Sequence, residues 1–320
     1  MRFGLWTAAV ALLVIAPVVA QSYPVKPVRL IVPFPPGGSI ETLARLLGGK
    51  LSEMWGQQII IDNRPGASGV IGTELGAKAA PDGYTLLMGS GAPLTIVPGF
   101  NPKLPYDPIK DFAPITNVAA VPNVFALHPS VPVNDVKGLI ALARARPDQL
   151  TFATNGAGSP GHLAGELLKS MAGARMTHVP YKGAAPATLA VVSGEVSMTI
   201  TTTPAVLPQA KAGRLKIIAV TTLQRLPPLP EIPTVAESGL PGYEAVSWFG
   251  LVAPAAVAPD LLKKIYTDAL QALGAPDMRG RIAILGATPI GNTPAQFRAQ
   301  ISDDLAKWAR IIKASGAKPD

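Results

Sequence analysis

One unit occurs twice in this 320-residue chain: an apolar strand, a glycine-rich loop and an amphipathic helix. The first copy runs from Val28–Phe34 through Pro35-Pro36-Gly37-Gly38-Ser39 into a helix from about Glu41. The second runs from Leu150–Thr154 through Asn155-Gly156-Ala157-Gly158-Ser159-Pro160-Gly161 into a helix from His162. Strands that turn directly into helices specify βα units, and a glycine loop at the turn bares main-chain N–H groups that the first helical turn leaves unpaired. The helix dipole favours negative charge at the same place, so each loop is a receiver for a carboxylate or phosphate. Two such loops imply two jaws for one small anion.

The rest of the chain continues the alternation. Strand-like runs at Gln58–Ile61, Thr85–Met88, Val124–Leu127, Thr177–Val179, Met198–Thr201, Ile217–Val220 and Trp248–Val252 are interleaved with helical patterns, which argues for α/β architecture with mainly parallel sheets flanked by helices. Leu43, Leu46, Leu47, Leu51 and Met54 form the core face of the first helix. Thr293-Pro294-Ala295-Gln296 carries helix-start signals, and Phe297, Ile301, Leu305, Trp308 and Ile312 give the last helix a buried stripe. The proline-rich stretch Asn101–Pro114 reads as a long surface connection. The parse is a discontinuous first lobe, 23–122 plus 223–319, and an inserted second lobe, 123–222. Crossings near Val121–Val124 and Ala219–Thr222 would form the hinge, and a cleft between hinged lobes is a common place for a small ligand.

The N-terminus reads as a secretory signal peptide over residues 1–20. Arg2 precedes the apolar run Leu5–Val19, and Val18-Val19-Ala20 ends it on a small residue followed by Gln21-Ser22. That run is shorter than the ~20 apolar residues of a membrane helix. Export without any cysteine excludes lipoprotein anchoring and a disulfide framework, so the expected product is a periplasmic protein held by its core alone. The net charge of +8 invites a nucleic-acid reading, but Lys and Arg are scattered and aromatics amount to 6%, leaving neither a phosphate-tracking stripe nor a stacking platform.

Gly156-Ala157-Gly158-Ser159-Pro160-Gly161 fits G-x-G-x-x-G, yet the next strand ends His178-Val179-Pro180-Tyr181-Lys182 without the acid that a dinucleotide ribose requires. The run is read as a ligand-gripping amide loop in preference to a plain turn or a dinucleotide site. Glu41 in the first helical turn either offsets the dipole or faces the cleft, and periodicity does not decide between them. Hydrolysis is the rival activity. Of three histidines only His162 lies at a candidate site, where helix capping or packing is its simpler role, and no G-x-S-x-G elbow or metal-ligand spacing is present.

Many ordered segments at consistent spacing carry a resemblance. They include Lys26-Pro27-Val28-Arg29-Leu30-Ile31-Val32-Pro33-Phe34-Pro35-Pro36-Gly37-Gly38, Asp62-Asn63-Arg64-Pro65-Gly66-Ala67-Ser68-Gly69 and Ala80-Pro81-Asp82-Gly83-Tyr84-Thr85. Leu104-Pro105-Tyr106-Asp107-Pro108, His162-Leu163-Ala164-Gly165-Glu166, His178-Val179-Pro180-Tyr181-Lys182-Gly183, Pro233-Thr234-Val235-Ala236-Glu237 and Ser247-Trp248-Phe249-Gly250 follow. Over nearly the whole mature chain the sequence resembles the solute-binding receptors of tripartite tricarboxylate transporters, often called Bug-type receptors. The resemblance implies a two-lobed periplasmic binding protein of type II that closes on a small organic acid and delivers it to a membrane permease. It implies no catalysis, cofactor or metal, and a monomer that does not insert in the membrane. A receptor serving signalling without a permease of its own remains the alternative.

By the same resemblance, the ligand carboxylate is held mainly by backbone amides and ordered waters from two loops, one formed by Phe34, Pro36, Gly37, Gly38 and Ser39 and the other by Asn155, Gly156, Ala157, Gly158, Ser159 and His162. Glu41, Ser68, Ser90, Gly91, Thr201 and Thr202 complete the candidate cleft. The chain departs from the family pattern at Glu41, where Asp is usual, and at Thr201, where an acid often stands. Ala92-Pro93 and Pro160-Gly161 replace small polar residues. Fewer acids favour a more anionic ligand.

Overall fold

A computed structural model describes residues 23–315. In chain order the elements are β1 (Val28–Val32), α1 (Ser39–Trp55), β2 (Ile59–Asn63), α2 (Val70–Ala77), β3 (Thr85–Ser90), α3 (Val97–Phe100) and β4 (Phe112–Leu127). Then come α4 (Val136–Ala145), β5 (Thr151–Thr154), α5 (Pro160–Ala172), β6 (Thr177–Pro180), α6 (Ala184–Val192), β7 (Met198–Thr202), α7 (Thr203–Lys211) and β8 (Lys216–Val220). Last are β9 (Val246–Pro254), α8 (Pro259–Gly274), α9 (Pro276–Ile284), β10 (Thr288–Pro289) and α10 (Pro294–Ser315). The signal peptide expected over residues 1–20 lies outside the described residues. No described helix is long and apolar enough to cross a membrane.

The repeated unit of the sequence becomes a repeated half-sheet. In the first half β2, β1 and β3 are parallel, and β9 and then β4 join antiparallel. In the second, β6, β5 and β7 are parallel, and β4 and then β8 join antiparallel. β4 serves both: Phe112–Pro122 pairs with β9, and Asn123–Leu127 pairs with β7 and β8. Helices cover both halves, giving the two-lobed α/β architecture expected from the sequence.

The stretch Asn101–Pro114 is not wholly a surface connection. β4 starts at Phe112 and runs through Pro114 and Pro122, with register shifts at Pro114/Thr116 and Asn117/Ala119. Irregular pairing of this kind is how a strand accommodates prolines, which cannot donate to a ladder. Asn123 sits fully buried at the crossing. Its main-chain N–H donates to Thr221 Oγ1, and its side-chain amide donates to Ala245 O at 3.1 Å and Ser247 Oγ at 3.2 Å.

After β8 the chain stays with the second lobe. Leu226, Leu229, Val235, Leu240 and Tyr243 bury among second-lobe side chains before β9 rejoins the first sheet at Val246. Pro233-Thr234-Val235-Ala236-Glu237 is a capping box here, with Thr234 N–H donating to Glu237 Oε2 and Glu237 N–H to Thr234 Oγ1, both at 2.9 Å. The same device opens α10, where Thr293 and Gln296 exchange bonds. This helix lies across both lobes. Phe297 and Ile301 bury with Trp248 and Val252 of the first, while Trp308 and Ile312 bury with Phe152 and Leu163 of the second.

Candidate functional site

Both glycine loops stand at the carboxyl ends of parallel strands, the edge where open α/β sheets bind ligands. At the first, Gly38 precedes α1 with φ −90° and ψ 167°, and no side chain caps the helix. Among the described residues, no group accepts from the main-chain N–H of Gly38, Ser39 or Ile40. Asn63 steadies the approach by donating from its amide to Phe34 O at 2.9 Å. The Phe34 ring lies against Gly69 and, with Pro93, leaves only tight room for a Cβ there. Glu41 is buried, pairs with the Arg45 guanidinium and stands 3.5 Å from the Gly37 N–H. Its charge is therefore matched from within its own helix.

The second loop is more occupied with itself. Ser159 Oγ caps α5 by accepting from His162 N–H, and Ser159 N–H donates to Gly156 O at 3.2 Å. Gly158 N–H donates to His162 Nδ1 at 3.1 Å, and Gly156 N–H approaches Thr154 Oγ1 at 3.4 Å. Ala157 N–H has no acceptor among the described residues. Gly161 is required by packing, since a Cβ there would lie 2.0 Å from the Ile200 carbonyl oxygen of β7.

Each loop is bonded to the opposite lobe. Ser39 Oγ and Thr202 Oγ1 are 3.0 Å apart, and Ser68 Oγ donates to Ala157 O at 2.8 Å, each bond joining one lobe to the other. Ser68 reaches across from a turn in which Gly66, Ala67, Ser68 and Gly69 all have positive φ. Such a conformation costs on the order of 1–3 kcal/mol at each non-glycine residue and marks a position held for a purpose. Thr201 Oγ1 donates to Asn155 Oδ1 at 3.2 Å. Ser90, at the end of β3 beside the first loop, is 2% exposed, and its hydroxyl has no partner among the described residues. Gly91 next to it packs against the Trp248 indole, whose N–H donates to Asp304 at 2.7 Å.

His162 lies in a ring stack, parallel to His178 at 3.9 Å and to Phe100 at 6.1 Å. Burial, and then the Lys169 charge, pull its pKa down to about 4. Burial, and then His162 and Lys169, pull His178 to about 3. Both imidazoles are neutral at physiological pH. Asn63, Thr154 and His178 support the loops but were not among the residues expected from the sequence. Asn63 and His178 sit inside quoted motifs, which was the available signal; Thr154 had none beyond ending its strand.

A family model described as the tripartite tricarboxylate transporter family receptor matches residues 43–317. The chain belongs to that family. It is 39% identical to protein BugT of Bordetella pertussis over 304 residues, 95% of this chain and 93% of BugT. The R. palustris protein Rpa4515, solved with adipate, is 38% identical with a TM-score of 0.88, covering 93% of this chain and all of that one (100%). MatC from Rhodopseudomonas palustris, solved with bound malate, is 30% identical with a TM-score of 0.83, covering 91% of this chain and 100% of that one. The protein is thus a solute-binding receptor of the Bug type and not an enzyme.

Proposed function

We propose that this receptor works in the periplasm, binds the carboxylate of a small organic acid between its lobes, and hands it to a membrane permease of the tripartite tricarboxylate type. The observation that carries the reading is the Ser90 hydroxyl, buried without a partner among the described residues at the strand edge where the first loop presents N–H groups that no described residue accepts from. A buried hydroxyl left unpaired costs about 1–3 kcal/mol, a cost that a ligand oxygen removes. Neutral donors suit a carboxylate, and Glu41, whose charge would oppose an anion, is compensated by Arg45. The adipate and malate found in relatives of similar length and fold support the same class of solute.

Micromolar affinity requires about 8 kcal/mol. A charge-assisted hydrogen bond nets about 1.5–3 kcal/mol, so three to five donors must act together, more than one helix terminus offers. The second-lobe contribution is Ala157 N–H with the Thr202 hydroxyl, brought up by closure.

A thermal-shift screen over mono-, di- and tricarboxylates, aromatic acids and amino acids tests the reading. A carboxylate at about 100 times its Kd adds about 2.7 kcal/mol of stability and raises Tm by several degrees. Stabilisation by sugars or amines with none by any carboxylate would remove the proposal. Delivery is tested by adding the loaded receptor to vesicles containing the permease and measuring uptake.

A further inference from the structure

The second loop contains left-handed glycines at Gly156 (φ 125°) and Gly158 (φ 70°), so its own backbone does little to select one shape. Two histidines select it from outside. His162 Nδ1 accepts from Gly158 N–H at 3.1 Å. His178 Nε2 shares a 2.7 Å hydrogen bond with Thr154 Oγ1, which lies 3.4 Å from Gly156 N and 3.1 Å from Gly156 O. The residue between these two anchored glycines is Ala157, whose carbonyl takes the Ser68 bond from the other lobe and whose N–H has no acceptor among the described residues.

We propose that His162 is a positioning residue for ligand binding: as a neutral imidazole protonated on Nε2, it fixes Gly158 through Nδ1 and thereby sets the main chain of Ala157 against the first lobe. The ligand part of this assignment rests on the function proposed above. Accepting at Nδ1 dictates the tautomer, because a neutral ring has one donor and one acceptor nitrogen. Nε2 then faces Glu166 Oε1 at 3.8 Å, a carboxylate that also takes the Lys169 ammonium at 2.7 Å. The ring is held flat between His178 of β6 and Phe100 of α3, and His178 lies in turn against Phe152 at 5.0 Å. Glu166 and Lys169 on α5 and His178 on β6 are the titratable groups around it, while α3 offers only the Phe100 ring. Displacement of the imidazole from the stack, or a proton on Nδ1, removes the Gly158 acceptor.

Two substitutions separate the acceptor from the ring. His162→Phe keeps an aromatic ring in the stack and has no acceptor, whereas His162→Asn loses the ring and keeps an oxygen close to the Nδ1 position. In the ligand-free protein, Gly158 amide exchange should quicken at least about tenfold in the Phe variant and stay within about threefold of wild type in the Asn variant. The 15N resonance of wild-type His162 Nδ1 should be that of an unprotonated acceptor. Adipate affinity, measured by calorimetry, should fall at least about tenfold in the Phe variant and recover to within about threefold in the Asn variant. A protonated Nδ1, unchanged Gly158 exchange in the Phe variant, or equal exchange in both variants overturns the assignment of His162. If exchange separates the variants but adipate binds all three proteins alike, the positioning role in ligand binding is overturned together with the second loop's share of the site. A wild type that ignores adipate excludes adipate as its ligand and leaves the carboxylate reading to the wider screen, and the exchange and 15N results still decide what His162 does to the loop.

Discussion

Gly38→Val isolates ligand binding from folding at the first loop. Gly38 has φ −90° and ψ 167°, an extended conformation open to any residue, and a Cβ built there meets nothing within 4 Å. Valine is a poorer helix cap than glycine, while removing a glycine from the unfolded chain gains about 0.4–1 kcal/mol. These effects oppose each other, so net stability should stay within about 1 kcal/mol and Tm within about 2–4 °C. The branched side chain occupies the space in front of the Gly38, Ser39 and Ile40 N–H groups. Loss of two charge-assisted hydrogen bonds costs about 3–6 kcal/mol, a rise in Kd of about 10²- to 10⁴-fold. Calorimetry with the best carboxylate from the screen reads the affinity, and a thermal melt reads the fold. Gly37→Ala is the contrast: at φ 90° it strains the backbone, so stability should fall with affinity. A folded Gly38→Val protein that binds as tightly as wild type would refute the idea that this loop grips the ligand.

Gly161→Ala should lower Tm by roughly 2–12 °C, since its Cβ would press to 2.0 Å from Ile200 O and overpacking of this kind costs about 1–3 kcal/mol; Gly49→Ala, in open space within α1, should be neutral or stabilising in the same melt. Acid should destabilise the protein through its histidines. Their folded pKa values of about 4 and about 3 lie below the unfolded value near 6.5, so the unfolded chain binds more protons below pH 6.5. Stability should be flat in this respect above pH 6.5 and fall by up to about 1.4 kcal/mol per pH unit per histidine towards pH 4, and denaturant melts of wild type and His178→Phe across that range read the slope. Ser68→Ala removes the bond to Ala157 O and should weaken ligand binding by about two- to tenfold with Tm almost unchanged; equal affinity would show that this contact does not stabilise the closed form.

The sequence was most readable where local chemistry and tertiary structure agree. The Thr293–Gln296 capping box, the left-handed Gly173 that ends α5 and the stripe of α10 all follow from side chains within a turn or two of each other. β4 was legible only from Val124 on, because its first half carries prolines that normally argue against a strand and is held by pairing with β9, more than a hundred residues away. Likewise α7 contains Pro208, which removes a helical hydrogen bond, and packs its Val206 into the second-lobe core. At the site, the glycine loops announced bare N–H groups, but not which of them the protein would satisfy itself. The fold uses several donors of the second loop on Ser159, Thr154 and His162, each within four residues of its donor, along a backbone path that the glycines alone do not fix.

The contacts between the lobes also indicate how the receptor would be driven to close. At the loops they are neutral hydrogen bonds, Ser39 with Thr202 and Ser68 with Ala157, each worth about 0.5–1.5 kcal/mol net of water. Together they give at most about 3 kcal/mol and help to set the ligand-free balance between open and closed forms. Moving that balance from 1:99 to 99:1 takes roughly 5.5 kcal/mol, all of it from a ligand that binds the closed form better, which is the condition for closure to report occupancy. Because α10 is buried in both lobes, with Phe297 and Ile301 on one side and Trp308 and Ile312 on the other, the lobes cannot swing freely about β4 alone.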